Sequence, residues 1–131
     1  MKNIFTILAT MICSIFGCSA QDTGFKSIDV NEFEKFIADS TIVRLDVRTI
    51  EEYNEGHIAG TINIDVLKDD FESKALATLP KDKTIAIYCR SGRRSKNAAN
   101  ILSKNGYKVV ELSTGFNGWM GAKKPIEITA N

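Results

Sequence analysis

The residues best equipped for chemistry lie together in Cys89-Arg90-Ser91-Gly92-Arg93-Arg94-Ser95. An apolar run, Thr84-Ile85-Ala86-Ile87-Tyr88, precedes them and a helical run from Arg94 to Leu102 follows. The first reads as a buried strand. A strand that ends on a cysteine, turns through Gly92 and enters a helix makes an anion trap. Loop N–H groups and the helix N-terminus both point at whatever the cysteine carries. Arg90, Arg93 and Arg94 add positive charge at the same spot. Helix N-termini and basic neighbours lower a cysteine pKa from ~8.5 to roughly 3.5–7.5. A thiolate nucleophile at neutral pH is therefore expected. The plainer alternative, a small core cysteine beside a solvated arginine run, leaves the turn glycine and the helix start without a purpose.

Three stretches upstream accompany this loop in order: Leu45-Asp46-Val47-Arg48, then Glu52-Tyr53, then Gly56-His57-Ile58-Ala59-Gly60-Thr61-Ile62-Asn63-Ile64. With the loop they resemble the motifs of the rhodanese family, and the similarity runs from about Ile28 to Ile128. The resemblance implies an α/β fold, a small parallel five-stranded sheet with helices on both faces and the cysteine loop on its C-terminal side. It implies a sulfurtransferase in which Cys89 takes sulfane sulfur from a donor such as thiosulfate and holds it as a persulfide. A thiophilic acceptor then removes the sulfur: cyanide, a thiol, or a thioredoxin-like protein. No metal or organic cofactor is needed. Arg90, Ser91, Gly92, Arg93, Arg94 and Ser95 would bind the substrate, while Asp46, Arg48, Glu52 and His57 would support the loop. A monomer is expected.

Rival chemistries can be weighed on the same residues. His57 is the single histidine. Zinc takes three or four ligands and no second His or Cys lies near it in sequence, so a structural role is expected instead. The related cysteine phosphatases need Cys-x5-Arg, but Ser95 stands six after Cys89 and Arg94 comes one residue early. Arg90-x-Gly92 resembles the thiosulfate-using members of the family. A sulfur-carrier or interaction module with weak activity alone is the remaining alternative.

The composition fits a small enzyme. At 131 residues, 44% hydrophobic and 25% charged, the chain reads as one globular domain plus a leader. That is long enough to bury a core without disulfides. Lys2 is the only charge before Asp22, and the rest of the chain is balanced, which argues against a nucleic-acid binder. Lys2 and the apolar run from Ile4 to Gly17, too short to span a bilayer, read as an export signal. Ile15-Phe16-Gly17-Cys18-Ser19 resembles a bacterial lipoprotein box with Cys18 as the lipidated residue, although Ile15-Phe16 departs from it. Cleavage after Ala20 is the competing reading. The expected boundaries are a signal at 1–17, a polar tether at 18–27 and the domain at 28–129. The protein would then sit in the cell envelope facing the periplasm, lipid-anchored or else soluble. Cys13 and Cys18 fall in the leader, so the domain holds one thiol and is no disulfide scaffold.

The elements that must position the loop are legible in outline. Asp29 can cap a helix with Glu32 three residues on, and Phe33, Phe36 and Ile37 supply its apolar stripe. Thr41 to Val47 reads as a strand ending on Asp46 and Arg48, where open α/β sheets place their sites. Thr49 and Glu52 form a second capping box on a short helix that stops at Gly56, before a strand from Thr61 to Ile64. A helix from Asp69 to Leu79 should turn Phe71, Ala75, Leu76 and Leu79 inward. After the loop, Ala98, Ile101 and Leu102 should face the core, with Asn105-Gly106 as the stop. Tyr107 to Leu112 gives the last strand, and Trp119 is expected in the core. Strands separated by helices throughout imply a parallel sheet covered on both faces.

Overall fold

The computed structural model describes residues 24–129. The expected export signal and Cys18 lie outside them. Five strands, β1 (Lys26–Ile28), β2 (Val43–Asp46), β3 (Thr61–Asn63), β4 (Ile85–Tyr88) and β5 (Val109–Leu112), form one parallel sheet in the order β1-β5-β4-β2-β3. The helices are α1 (Val30–Ile37), α2 (Ile50–Glu55), α3 (Phe71–Thr78), α4 (Arg93–Lys104) and α5 (Gly115–Gly121).

Strand β4 explains its own unbroken apolar run. Ile85 and Ile87 pack on one face against Phe71 and Ala75 of α3 and Ala98, Ala99 and Leu102 of α4. Ala86 and Tyr88 pack on the other, with Phe33 and Ile37 of α1 and Phe116 and Trp119 of α5. A strand buried on both faces has no polar side to show, so its sequence does not alternate. The chain leaves β2 toward β3 on one side and β4 toward β5 on the other. The crevice beyond the C-terminal ends of β2 and β4 is therefore the switch point where such sheets hold ligands.

The helix starts follow local chemistry. The Asp29 carboxylate accepts from the Glu32 N–H at 2.9 Å. Thr49 and Glu52 complete a reciprocal capping box, which fixes where Glu52 points.

The structure departs from the sequence expectation in three places. Strand β1 begins at Lys26, inside the stretch expected as tether, because Ser27 pairs in register with Glu111 at the sheet edge. A three-residue edge strand that buries only Ile28 has no periodicity to detect. Leu76 is 41% exposed rather than inward. Phe71, Ala75 and Leu79 recur every four residues, and Leu76 falls ~140° around the helix from Phe71. On α4, Ala99 is buried and Ile101 only partly so, a rotation of the apolar stripe toward the smaller residues that approach the sheet closely.

Candidate active site

Cys89 follows β4 at the centre of the sheet and is 1% exposed. The loop doubles back on it, so that the Gly92 N–H donates to the sulfur at 3.1 Å. Gly92 is also the residue before α4, with φ 105°. A side chain there would adopt the left-handed region and overlap the carbonyl oxygen of Ser113. Glycine thus aims an N–H at the sulfur and starts the helix beneath it.

A second helix start clamps the loop from the other side. Phe116 N–H donates to the Cys89 carbonyl at 2.7 Å and Asn117 N–H to the Arg90 carbonyl at 2.9 Å. Gly115, with φ 66°, lets these backbones meet; a Cβ there would come 2.5 Å from the Arg90 carbonyl oxygen. Gly115→Ala is accordingly expected to cost about 1–3 kcal/mol, from a left-handed alanine and the displaced loop. A urea titration checks this, and an unmoved midpoint would show that the clamp tolerates a side chain. Sequence spacing carries no signal for this clamp, because Gly115 and Phe116 lie far along the chain from Cys89 and Arg90.

The arginines do not act alike. Glu52 on α2 binds two of them: Arg94 Nη1 and Nη2 reach its two carboxylate oxygens at 2.7 and 3.0 Å, and Arg90 Nε reaches Oε2 at 2.7 Å. The fork from Arg94 holds the Glu52 carboxyl well below the usual carboxylate range, against a burial that would raise it. Hydrogen bonds from Thr49 N–H and Arg90 reinforce the effect. Arg94 stays charged in return, chiefly through its hydrogen bonds to Glu52. Arg93 and Ser91 are exposed, and Arg93 has no ion-pair partner among the described residues. A cleft of about 240 Å³ opens beside the loop between Glu52, Arg90, Arg48, Phe116 and Met120. A larger groove, about 490 Å³, lies along α1 beside Lys26 and Phe36 and holds no nucleophile.

Asp46 and Arg48 form a buried ion pair at 2.7 Å, and the Arg48 Nη2 also donates to the Gly56 carbonyl at 2.6 Å. Its guanidinium lies 4.3 Å from the Phe116 ring centroid, so it joins the end of β2 to the helix that clamps the loop. His57 is stacked on Tyr53 at 3.8 Å and bridges its backbone to Glu127. Ser95 lies directly under Cys89, with Oγ 3.4 Å from Sγ, and donates to Glu111 on β5 at 2.6 Å. Glu111 carries no motif signal; only the register of β5 beside β4 brings it here.

Over residues 29–122 the sequence matches the rhodanese-like domain family. The chain belongs to that family. This rhodanese-like domain is similar to thiosulfate sulfurtransferase PspE of Escherichia coli, with 44% identity over 72 residues, 55% of this chain and 68% of that protein. Thiosulfate sulfurtransferase GlpE of Shewanella oneidensis is 28% identical over 98 residues, 74% of this chain and 94% of GlpE. Among solved structures, a rhodanese-related protein from Thermoplasma volcanium superposes with a TM-score of 0.71 at 30% identity, covering 79% of this chain and 99% of that one. Five parallel strands with helices on both faces are the fold of this family. Sulfur transfer is the activity its relatives support.

Proposed function

We propose that the protein is a single-domain sulfurtransferase that moves sulfane sulfur from thiosulfate to cyanide or a thiol through a persulfide on Cys89. The observation that carries this reading is the sulfur itself, seated at the sheet's switch point under the Gly92 N–H and the start of α4. The Cys89 thiolate attacks the outer sulfur of thiosulfate, the S–S bond breaks, and sulfite leaves with the bonding pair. Cys89 then bears a persulfide anion that takes over the Gly92 N–H and the helix N-terminal field. An acceptor nucleophile attacks the terminal sulfur and returns the thiolate, so the kinetics are ping-pong. The positive charge for the donor's oxyanion comes from Arg94, Arg90 and Arg93, with Glu52 setting the position of the first two. A phosphatase reading is disfavoured because Ser95 occupies the position its arginine would need, with its hydroxyl bonded to Glu111.

Intact mass spectrometry before and after thiosulfate tests this reading. The folded protein should gain one sulfur atom and lose it on addition of a thiol. A folded protein that never gains sulfur would refute it, and loading without turnover would assign a sulfur carrier.

We also propose that the mature protein is anchored in the cell envelope through a lipid on Cys18, on the strength of the leader alone. Two acyl chains at ~0.8 kcal/mol per buried CH₂ hold a protein on a membrane far longer than a peripheral contact does. Cys18→Ala should leave the protein soluble or unprocessed in a membrane fractionation. A soluble wild-type protein beginning at Gln21 would show ordinary signal cleavage instead.

A further inference from the structure

Glu111 is fully buried on β5, and three donors converge on it. Ser27 Oγ donates to Oε1 at 2.5 Å, Ser95 Oγ to Oε2 at 2.6 Å, and Lys96 Nζ lies 3.3 Å from both oxygens. A buried charge is costly, and the Val-Val-Glu-Leu strand would be expected to carry an apolar residue at this inward position. What this carboxylate reaches is the nucleophile. Ser95, also fully buried, lies between Glu111 and the Cys89 sulfur, with its oxygen 3.4 Å from Sγ.

A serine hydroxyl has one hydrogen. At 2.6 Å that hydrogen belongs to the Glu111 bond, so Ser95 turns only lone pairs toward the sulfur. A thiol S–H can donate to them; a thiolate cannot. Resting on the sulfur-transfer reading, in which the thiolate is the reactive form, we propose that Glu111 is a positioning residue acting through Ser95 to hold Cys89 as a thiol at rest. When the thiol loses its proton to solvent, the Ser95 O–H turns from Oε2 to Sγ. Glu111 then keeps Ser27 and Lys96 as its donors, and no group is left unpaired.

Glu111 is opposed from several sides. Gly92 N–H and Arg94 favour the thiolate from α4, and Arg90 and Arg93 add charge from the loop and the helix start. Glu52 on α2 offsets part of that charge, while Lys96 offsets Glu111 from the half-exposed side of α4. One hydroxyl hydrogen, contested by Sγ and Oε2, sets the balance between them.

The test is the pH dependence of iodoacetamide alkylation at Cys89, followed by mass on the full chain. Glu111→Gln presents an amide that donates to Ser95 and releases its hydroxyl to the sulfur. The alkylation midpoint should fall by about one pH unit, equivalent to about 1.4 kcal/mol. In a Ser95→Ala background the same Glu111→Gln change should move the midpoint by much less, because the link is gone. A midpoint unmoved by Glu111→Gln overturns the proposal. So does an undiminished shift in the Ser95→Ala background, which would reveal a through-space charge effect. Should Glu111→Gln not fold, Lys96→Met at its half-exposed position tightens the Ser95–Glu111 bond and should raise the midpoint. An unmoved midpoint there, or the same rise without Ser95, counts equally against the idea. Alkylation uses no sulfur donor, so its outcome is independent of whether thiosulfate loads Cys89.

Discussion

Cys89→Ser is expected to lower thiosulfate–cyanide transfer on the order of 10³-fold or more, as removal of a covalent nucleophile does. A serine hydroxyl ionises far less readily than a thiol and cannot store sulfane sulfur. The fold should survive, because the substitution exchanges one small buried side chain for another between a donor, Gly92 N–H, and Ser95 Oγ. Circular dichroism and a melting curve close to wild type would establish that. In the wild-type protein the added sulfur should map to the peptide containing Cys89. Thiocyanate release by the serine variant at the wild-type rate, or sulfur found on another peptide, would falsify the assignment of the nucleophile.

Arg94→Gln should reduce kcat/KM for thiosulfate about ten- to a hundredfold, the worth of one charge-assisted hydrogen bond of about 1.5–3 kcal/mol. Arg94 is the arginine that forks onto both carboxylate oxygens of Glu52. Arg94→Lys should recover part of the loss, since an ammonium supplies charge but not the planar pair of donors. The exposed Arg93 should matter less. The same variant should alter acid stability, with a definite sign. In the folded protein the Glu52 carboxyl sits below its ordinary range, chiefly because of Arg94. Its ionised form therefore stabilises the fold fully above the unfolded value of ~4.3, and that stabilisation fades as pH falls toward the folded value. The gap in stability between wild type and Arg94→Gln should be widest near neutral pH and narrow below about pH 4.3. Denaturant melts at a series of pH values measure it. If glutamine at Arg90, Arg93 and Arg94 each left the kinetics unchanged, a neutral persulfide on a partner's cysteine would replace thiosulfate as the favoured donor.

By itself the sequence determined what is local. A doubly buried strand must be apolar along its whole length, so β4 and the cysteine that ends it could be read directly. Glycine at position 92 answers to a backbone requirement, and Thr49 with Glu52 to a capping box; both are satisfied within a few residues. The tertiary structure decided whatever depends on strand order. Pairing β4 with β5 sets Glu111 beside Ser95, and pairing β1 with β5 adds Ser27 to the same carboxylate. Docking α2 beside the loop turns Glu52 from a cap into the partner of Arg90 and Arg94, residues about forty positions away. Docking α5 brings Gly115 against the Arg90 carbonyl. Hydrogen bonds of this kind join residues far apart in the chain, and periodicity and spacing report only near neighbours. Cys89 and its loop were therefore visible in the chain, while the Ser95–Glu111 contact beside the sulfur and the Glu52 carboxylate that positions two arginines appear only once the sheet is assembled.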